Sequence, residues 1–269
     1  MVLDDSVERR SLPEADGSGS RAHDREARRE PARAEPGSVR WWADRAEAAG
    51  RRRPRAGGLS TERIILAALA VLREGGLEAL TLRAVAQRLG TNGTASLYRH
   101  IASRDELMVL IIDHTLGEVR LDRTGQGWRA DIEALMREMR RVILEQPVPS
   151  TATRSRSING PNMLRIVDAA LGRFLDAGLT HKRAALATIT MIEFVGGAAD
   201  IQRSIAGRGP TGASGSAGFH LLLEGLPPGQ LTALRTAGAD YVAASADDVF
   251  TSGMTILLDG VTRQLPSGH

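Results

Sequence analysis

The chain has 269 residues and a net charge of +3, with 42% hydrophobic and 25% charged residues, which is the composition of a soluble globular protein. The absence of cysteine excludes disulfide scaffolds and thiolate metal sites, and it favours a reducing cytoplasm. No apolar run approaches the roughly 20 residues of a membrane span, and the N-terminal residues lack an apolar core. We therefore expect neither a membrane partner nor a signal peptide.

Residues 1–58 are rich in Arg, Glu, Pro, Gly and Ser and contain few aliphatic side chains. Such a stretch buries too little apolar surface to offset its chain entropy, so we expect a mostly disordered tail. A short helix is compatible with residues 39–49, where Trp41, Trp42 and Arg45 would share it. The tail ends in a basic arm, which consists of Arg51, Arg52, Arg53 and Arg55.

Four helices are predicted between residues 59 and 120. The first is apolar at helical spacing and should end at a Gly-Gly pair, residues 75–76, and the second ends at Gly90. The third spans residues 94–101, and a fourth, rich in Leu and Ile, follows it. The predicted capping residues are Ser60, Thr81 and, for the fourth helix, Ser103 with Glu106 in a capping box.

Residues 121–269 continue the helical pattern. Apolar residues at helical spacing follow Trp128, and the next helix would start at Pro161 and close at Gly178. Residues 180–205 are apolar nearly all round, and a Gly/Ser linker and two further helices follow. No alternating strand pattern occurs, so the predicted fold class is all-α.

The short second and third helices, separated by a tight turn, form a helix-turn-helix pattern. In such a motif the third helix lies in the major groove of DNA, while its apolar residues, here Leu97 and Ile101, hold it to the domain. Arginine can pair with guanine, serine and threonine can reach bases or phosphates, and alanine can touch a thymine methyl group. The outward candidates for DNA contact are Thr94, Ala95, Ser96, Tyr98, Arg99 and His100.

Residues 59–119 closely resemble the DNA-binding domain of the TetR (tetracycline-repressor) family. The resemblance rests on the run EALTLRAVAQRLG at residues 78–90, on LYRHI at 97–101 and on SRDEL at 103–107. It implies an N-terminal three-helix DNA-binding domain, which with its linking fourth helix covers residues 59–120. It further implies a DNA-facing role for Arg83, Ser96, Tyr98, Arg99 and His100, and a phosphate contact for Arg104.

The chain departs from the family in one respect. It has one residue more than the family usually has between Gly90 and Leu97, which we expect to widen the turn at Asn92 and Gly93, a pair that tolerates positive φ. Family members often carry a flexible basic segment before this domain. The basic arm is therefore predicted to contact phosphates or the adjacent minor groove, although a charge run is also compatible with a solvated tail.

Residues 121–269 resemble the C-terminal domain of the family less specifically, mainly in GPNML at residues 160–164 and DAGL at 176–179. The resemblance implies a helical domain that binds a small-molecule effector and dimerises through its last two long helices. Met-rich apolar surfaces adapt to varied ligands, although residues of these types are more often ordinary core positions. The ligand-binding candidates are Met136, Met139, Met163, Phe174, Met191 and Phe194. The predicted dimer interface is one apolar stripe of the last helix, Phe250, Met254, Leu257, Leu258 and Val261.

Two other function classes compete with a regulator. An all-α enzyme is not favoured, because the sequence lacks a nucleophile elbow, a P-loop and a dinucleotide fingerprint. Neither a cofactor nor a metal is expected, since His220 and Glu224 alone make a poor metal site. A helical adaptor would explain the amphipathic helices but not the basic side chains around the third helix. We therefore predict a cytoplasmic homodimer that represses transcription from a near-palindromic operator of double-stranded DNA and is released by an unidentified small-molecule effector.

Overall fold

The computed structural model describes residues 34–51, 58–91, 93–146, 160–206, 212–227 and 229–266. Every regular element in these ranges is helical, so the predicted all-α fold class is confirmed. A 3-10 helix, Thr94–Arg99, lies between the third and fourth α-helices. The α-helices are α1 (Val39–Arg51), α2 (Thr61–Ala79), α3 (Leu82–Arg88), α4 (Arg104–Leu116), α5 (Trp128–Glu145), α6 (Pro161–Asp176), α7 (His181–Ala206), α8 (Gly212–Glu224), α9 (Thr232–Ala243) and α10 (Ala246–Thr262).

Helix α1 lies within the segment that composition predicts to be mostly disordered. Its first turn is capped by the Ser38 hydroxyl, which accepts a hydrogen bond from the backbone N–H of Trp41 (3.2 Å). Trp41 and Trp42 pack edge to face, with ring centroids 4.7 Å apart, against the apolar cluster built by the next helices. The short helix predicted around these tryptophans is confirmed. Its order comes from tertiary packing, because its own composition is polar.

Side-chain caps begin α2 and α3 as predicted. The hydroxyl of Ser60 accepts a hydrogen bond from the backbone N–H of Arg63 (3.2 Å), and that of Thr81 accepts one from Ala84 (3.0 Å). The Gly-Gly pair that was expected to end α2 instead interrupts it, since Gly76 has a φ of 70° and the chain resumes a last helical turn. Glycine tolerates this left-handed backbone without a steric cost.

The first hydrophobic cluster is formed by the inner faces of α2, α3, the 3-10 helix and α4. Leu97 and Ile101, which were predicted to face inward, are 0% and 1% exposed. Ile64 on α2, Val85 on α3 and Leu107 on α4 are likewise completely buried. These contacts fix the 3-10 helix on the outside of a closed apolar core.

The second hydrophobic cluster is formed by α5, α6, α7 and α10, together with Leu116 at the end of α4. Helix α7 packs against all three of the other helices. Helix α4 packs against α2 on one side and against α5 and α6 on the other. It therefore connects the two clusters directly.

Helix α7 is long and apolar enough, by length and composition alone, to cross a membrane over His181–Ile205. In the described part of the chain it packs as a core helix, with Ala184, Met191 and Val195 fully buried. Its other face leaves Leu186 and Ile201 exposed, at 55% and 62%. One side of this helix thus belongs to the core of the chain, and the other is open.

The apolar stripe predicted as a dimer interface on α10 lies inside the chain. Phe250, Met254, Leu258 and Val261 are 0–5% exposed and belong to the second hydrophobic cluster, while Leu257 is half-buried against it. Since α5 and α7 cover these side chains, the prediction was wrong for this face. The exposed apolar residues of α10 lie on another side, and they include Val249 (57% exposed) and Ile256 (70%).

Candidate DNA-binding surface

The turn between α3 and the 3-10 helix is closed by Thr91. Its backbone N–H and its hydroxyl both donate to the carbonyl of Ala86 (3.1 Å each), and the hydroxyl also lies 3.1 Å from the carbonyl of Gly93. Gly93 has a φ of 115°, as expected for the widened turn, while Asn92 lies outside the described residues. Gly93 thus precedes the 3-10 helix in a backbone conformation that glycine adopts readily.

The third element is a 3-10 helix where the sequence predicts an α-helix. Gly93 offers no side-chain cap, and the element is only six residues long. Helices of the 3-10 type have poorer hydrogen-bond geometry than α-helices and occur in short pieces. The element is therefore held mainly by Leu97, by Ile101 beyond its end and by contacts from other helices.

The structure exposes some of the predicted DNA-facing residues and buries the hydroxyl group of another. Tyr98 is 56% exposed, and Arg99, Ala95 and the α3 residue Arg83 are also exposed. Tyr98 and Arg99 are neighbours on the 3-10 helix, which contacts α3. A tyrosine and two arginines thus lie on two adjoining elements of the predicted motif.

Ser96 departs from its predicted orientation. Its hydroxyl is buried and has no hydrogen-bond partner in the described part of the chain, so it faces the interior and not the solvent. The tighter 3-10 winding changes which positions share a face, because three residues and not 3.6 complete a turn. Thr94 and His100 are half-buried, which places them at the edge of the exposed surface.

Arg104 makes a contact within the chain. Its Nη2 donates to the carbonyl of Leu77 (2.8 Å), which ties the start of α4 to the last turn of α2. The side chain remains exposed, and a guanidinium carries five N–H donors. The structure therefore assigns Arg104 a structural contact beside the role that the resemblance implied.

Only the first residue of the basic arm lies in the described ranges. Arg51 ends α1, is exposed and forms an ion pair with Glu47 one turn earlier. Arg52, Arg53 and Arg55 lie outside the described residues. The arm thus follows directly from a helix that is docked on the first hydrophobic cluster.

A partly buried ion pair that supports the end of the 3-10 helix was not predicted from the sequence. Arg45 on α1 donates to the carboxylate of Glu106 on α4 (2.6 Å), whose side chain is only 8% exposed. The other carboxylate oxygen of Glu106 accepts a hydrogen bond from the backbone N–H of Ala102 (2.6 Å), so the predicted capping box is only half formed. Ser103 supplies the other half, because its hydroxyl accepts from Glu106 N (3.0 Å).

A second unpredicted contact joins α4 to the start of α6. The carboxylate of Asp113 accepts hydrogen bonds from the backbone N–H of Asn162 (3.1 Å) and from its side-chain amide (3.1 Å). Burial raises the pKa of Asp113, and the hydrogen bonds from Met163 and Asn162 oppose that rise. The sequence contained one signal of this contact, because Asp113 interrupts the apolar run of α4.

Buried Arg173 holds the link between α4 and α5. It is 2% exposed and donates from Nη2 to the carbonyl of Leu121 (2.6 Å) and from Nη1 to that of Ala169 (2.8 Å). Burial lowers its pKa, and the nearby Asp131 carboxylate opposes this. Its neighbour Phe174 lies in the second hydrophobic cluster. Helix α6 therefore connects that cluster to the segment between α4 and α5, residues 117–127.

All the candidate ligand-binding residues meet in the second hydrophobic cluster. Phe194 stacks on Phe250 with ring centroids 5.4 Å apart. Met163 and Phe194 are half-buried. The others are at most 1% exposed, and they are Met136, Met139, Phe174 and Met191. In the described ranges no group of His, Asp or Glu could hold a metal ion.

Two family models match the chain. The model of bacterial regulatory proteins of the tetR family matches residues 64–111, and that of the tetracyclin repressor-like C-terminal domain matches residues 121–265, which is more than half of the chain. The chain belongs to the TetR family. In this TetR-family chain the N-terminal match contains most of α2, all of α3 and the 3-10 helix, and most of α4, and the C-terminal match contains α5 to α10.

The TetR-family relatives include two curated proteins. One is an HTH-type transcriptional regulator of Saccharopolyspora erythraea, 38% identical over 130 residues, which are 48% of this chain and 52% of that protein. The other is the HTH-type transcriptional repressor DrrR1 of Streptomyces coeruleorubidus, 35% identical over 146 residues, 54% of each chain. The chain spans about half the length of each of these two relatives.

A solved TetR-family structure is similar over most of its length. The structure of ActR from Streptomyces coelicolor in complex with actinorhodin has a TM-score of 0.68 and 28% identity, and the alignment covers 77% of this chain and 98% of ActR. The alignment thus covers most of both chains. A family of regulatory proteins also agrees with the prediction that the chain is not an enzyme.

Proposed function

We propose that this TetR-family chain is a cytoplasmic, homodimeric transcriptional repressor that binds a near-palindromic operator and leaves it when a small-molecule effector binds. The exposure of Tyr98 and Arg99 on the 3-10 helix, beside Arg83 on α3, is the observation that carries the proposal. These are the side chains that a helix-turn-helix presents to base edges and phosphates. The similarity to the repressor DrrR1 supports repression.

Each subunit would place one 3-10 helix in a major groove. Arg99 can donate two hydrogen bonds to guanine, while Tyr98 and Arg83 reach the sugar-phosphate backbone. Ala95 is exposed and can touch a thymine methyl group. Because a symmetric dimer presents two such elements, its half-sites would lie about one helical turn apart.

We propose two functional regions, residues 59–120 for DNA binding and residues 121–269 for effector binding and dimerisation. The separate hydrophobic clusters support this division. The effector would bind among the Met and Phe side chains of the second cluster. The structure of ActR in complex with actinorhodin supports a small-molecule effector. Since α4 and α6 meet at Asp113, a shift of α6 would reorient the DNA-binding region. Such coupling is reciprocal, so operator DNA would weaken effector binding by the same factor.

The dimer interface that we propose uses the open faces of α7 and α10. On α10 Val249, Ile256 and Gly260 share one side of the helix. Gly260 has open space around it, so a second helix can approach closely there. The neighbouring α7 adds exposed Leu186, Gly197 and Ile201. Paired with its symmetry copy, this surface would form a four-helix contact.

The proposal is tested by selecting binding sites for the purified chain from random double-stranded DNA. We expect an enriched, near-palindromic sequence and a complex that contains two chains by light scattering. A monomer that enriches no sequence would contradict the proposal and favour a helical adaptor. Random DNA of the same length is the control, because it measures the sequence-independent phosphate attraction.

A further inference from the structure

Helix α1 precedes the region that matches the tetR-family model, which begins at residue 64. It nevertheless contacts three parts of the chain that shape the candidate DNA-binding surface. Arg45 lies at the centre of these contacts, with its guanidinium 5.4 Å from the Trp41 ring centroid. Helix α1, which lies outside the helix-turn-helix, thus contacts residues next to it.

The guanidinium of Arg45 joins three elements. Nη1 donates to Glu106 on α4 (2.6 Å), and Nη2 donates to the hydroxyl of Thr61 at the start of α2 (3.2 Å). Both nitrogens also lie 3.5 Å from the carbonyl of His100, the C-terminal cap of the 3-10 helix. Arg45 therefore contacts the end of the 3-10 helix directly, at the carbonyl of His100. It also acts on this end indirectly, because its partner Glu106 accepts a hydrogen bond from the N–H of Ala102.

The first turn of α1 lies against the start of α6. Trp42 packs on the first hydrophobic cluster. A Cβ atom built on Gly160 would lie 2.8 Å from Trp42 Cζ2 and would also overlap the Asp113 carboxylate. The close approach of these groups requires glycine at position 160. Helix α1 is thus packed against the rest of the chain at Trp42, one turn before Arg45, which holds the Arg45 side chain in place.

We propose that α1 is a strap that holds the 3-10 helix in the orientation required by operator DNA, and that Arg45 is its positioning residue. This inference rests on the proposed operator binding. A 3-10 helix without an N-terminal side-chain cap is weakly held by its own hydrogen bonds. Without Arg45 its binding-competent orientation is less populated, and the apparent Kd rises in inverse proportion to that population.

The experiment measures affinity for the selected operator and for random DNA of equal length by fluorescence anisotropy at several salt concentrations. The variants are Arg45→Gln, Arg45→Lys and the double variant Arg45→Gln/Glu106→Gln. The matched control is Arg40→Gln on the same helix, since the Arg40 side chain is 79% exposed and lies 4.0 Å from Asp44. Thermal unfolding of each variant reports whether it folds.

We expect Arg45→Gln to lose about tenfold or more in operator affinity, equivalent to about 1.4 kcal/mol. Affinity for random DNA and the salt slope should stay close to wild type, because no phosphate contact is removed. Arg45→Lys keeps the charge but not the fork that reaches His100 and Thr61, so it should recover only part of the loss. Arg40→Gln should bind as the wild type does.

The double variant separates positioning from folding. It removes the unpaired buried carboxylate that Arg45→Gln leaves behind, so it should fold even where the single variant does not. Weak operator binding by the folded double variant supports the strap, and operator affinity at the wild-type level in this variant overturns it. Equal losses on both DNAs with a flatter salt slope would overturn it too, since Arg45 would then contact phosphate. A wild-type chain that selects no operator would instead refute the proposed function, and the inference with it.

Discussion

The carboxylate of Asp113 on α4 accepts a hydrogen bond from the backbone N–H of Asn162 in the first turn of α6 (3.1 Å). A helix of the proposed DNA-binding region thus caps a helix of the proposed effector-binding region. The cap is buried, since Asp113 is 5% exposed. The contact makes the start of α6 and the orientation of α4 interdependent.

Replacing Asp113 with alanine should destabilise the chain by about 1–2 kcal/mol, the usual effect of losing an N-terminal cap. Because burial raises the folded-state pKa of Asp113, its contribution to stability is fully present below the unfolded pKa and is lost as pH rises through the folded pKa. The stability difference between wild type and variant should therefore shrink as pH rises through that window. Urea unfolding across the window measures this, and a difference that grows with pH would contradict it.

Ser96→Ala should leave operator affinity within about twofold of wild type, because the hydroxyl faces the interior. The variant should be as stable as the wild type or more stable, by up to about 1 kcal/mol, since an unpaired buried hydroxyl is unfavourable. Anisotropy and thermal unfolding measure the two effects. A tenfold loss of operator affinity would mean that this hydroxyl turns outward on DNA.

The sequence predicted the helix caps and the buried helix positions, which depend on residues close together in the chain. Ser60, Thr81 and Ser103 cap their helices through backbone groups three residues away. Leu97 and Ile101 were predicted to be buried because the helical pattern marks them as apolar between polar positions, and they are. Helical spacing and local capping carry this information directly.

The errors concern contacts and orientations that depend on residues far apart in the chain. The stripe containing Phe250 was identified as apolar, but spacing alone does not say whether α7 or a second subunit covers it. The partner of Arg45 is Glu106, which no local pattern connects to it. Ser96 was misassigned because its orientation depends on 3-10 winding, which tertiary packing and the turn at Gly93 determine.

Ile256→Glu should convert the dimer into monomers without unfolding the chain. Ile256 is 70% exposed in the single chain, so the charge is buried only if a second subunit covers it. Thr255→Glu is the matched control, since Thr255 is exposed on the adjoining polar side of α10. Light scattering at micromolar concentration should give a monomer for the first variant and a dimer for the second. A dimer in both would contradict the proposed interface.

Replacing Arg52, Arg53 and Arg55 with glutamine should flatten the salt dependence of DNA binding by about 2–4 units of slope, because each phosphate contact adds about 0.9 and a dimer carries two arms. Affinity should fall on operator and random DNA alike, since phosphate contacts do not read sequence. Deletion of residues 1–56 would be a poorer test because it also removes α1. An unchanged slope would mean that the arm is a solvated tail.

Operator binding by Arg99→Ala and Tyr98→Ala tests the central claim most directly. Arg99→Ala removes a base contact that contributes about 1–3 kcal/mol, and Tyr98→Ala removes a backbone contact that positions the 3-10 helix. A dimer loses each contact twice, so operator binding should fall at least tenfold in each variant. The fold and the dimer should stay intact, because both side chains are exposed. Arg137→Ala on α5, which removes an exposed arginine from the other region, should bind as the wild type does. Wild-type operator affinity in both Arg99→Ala and Tyr98→Ala would contradict the assignment of this surface to DNA.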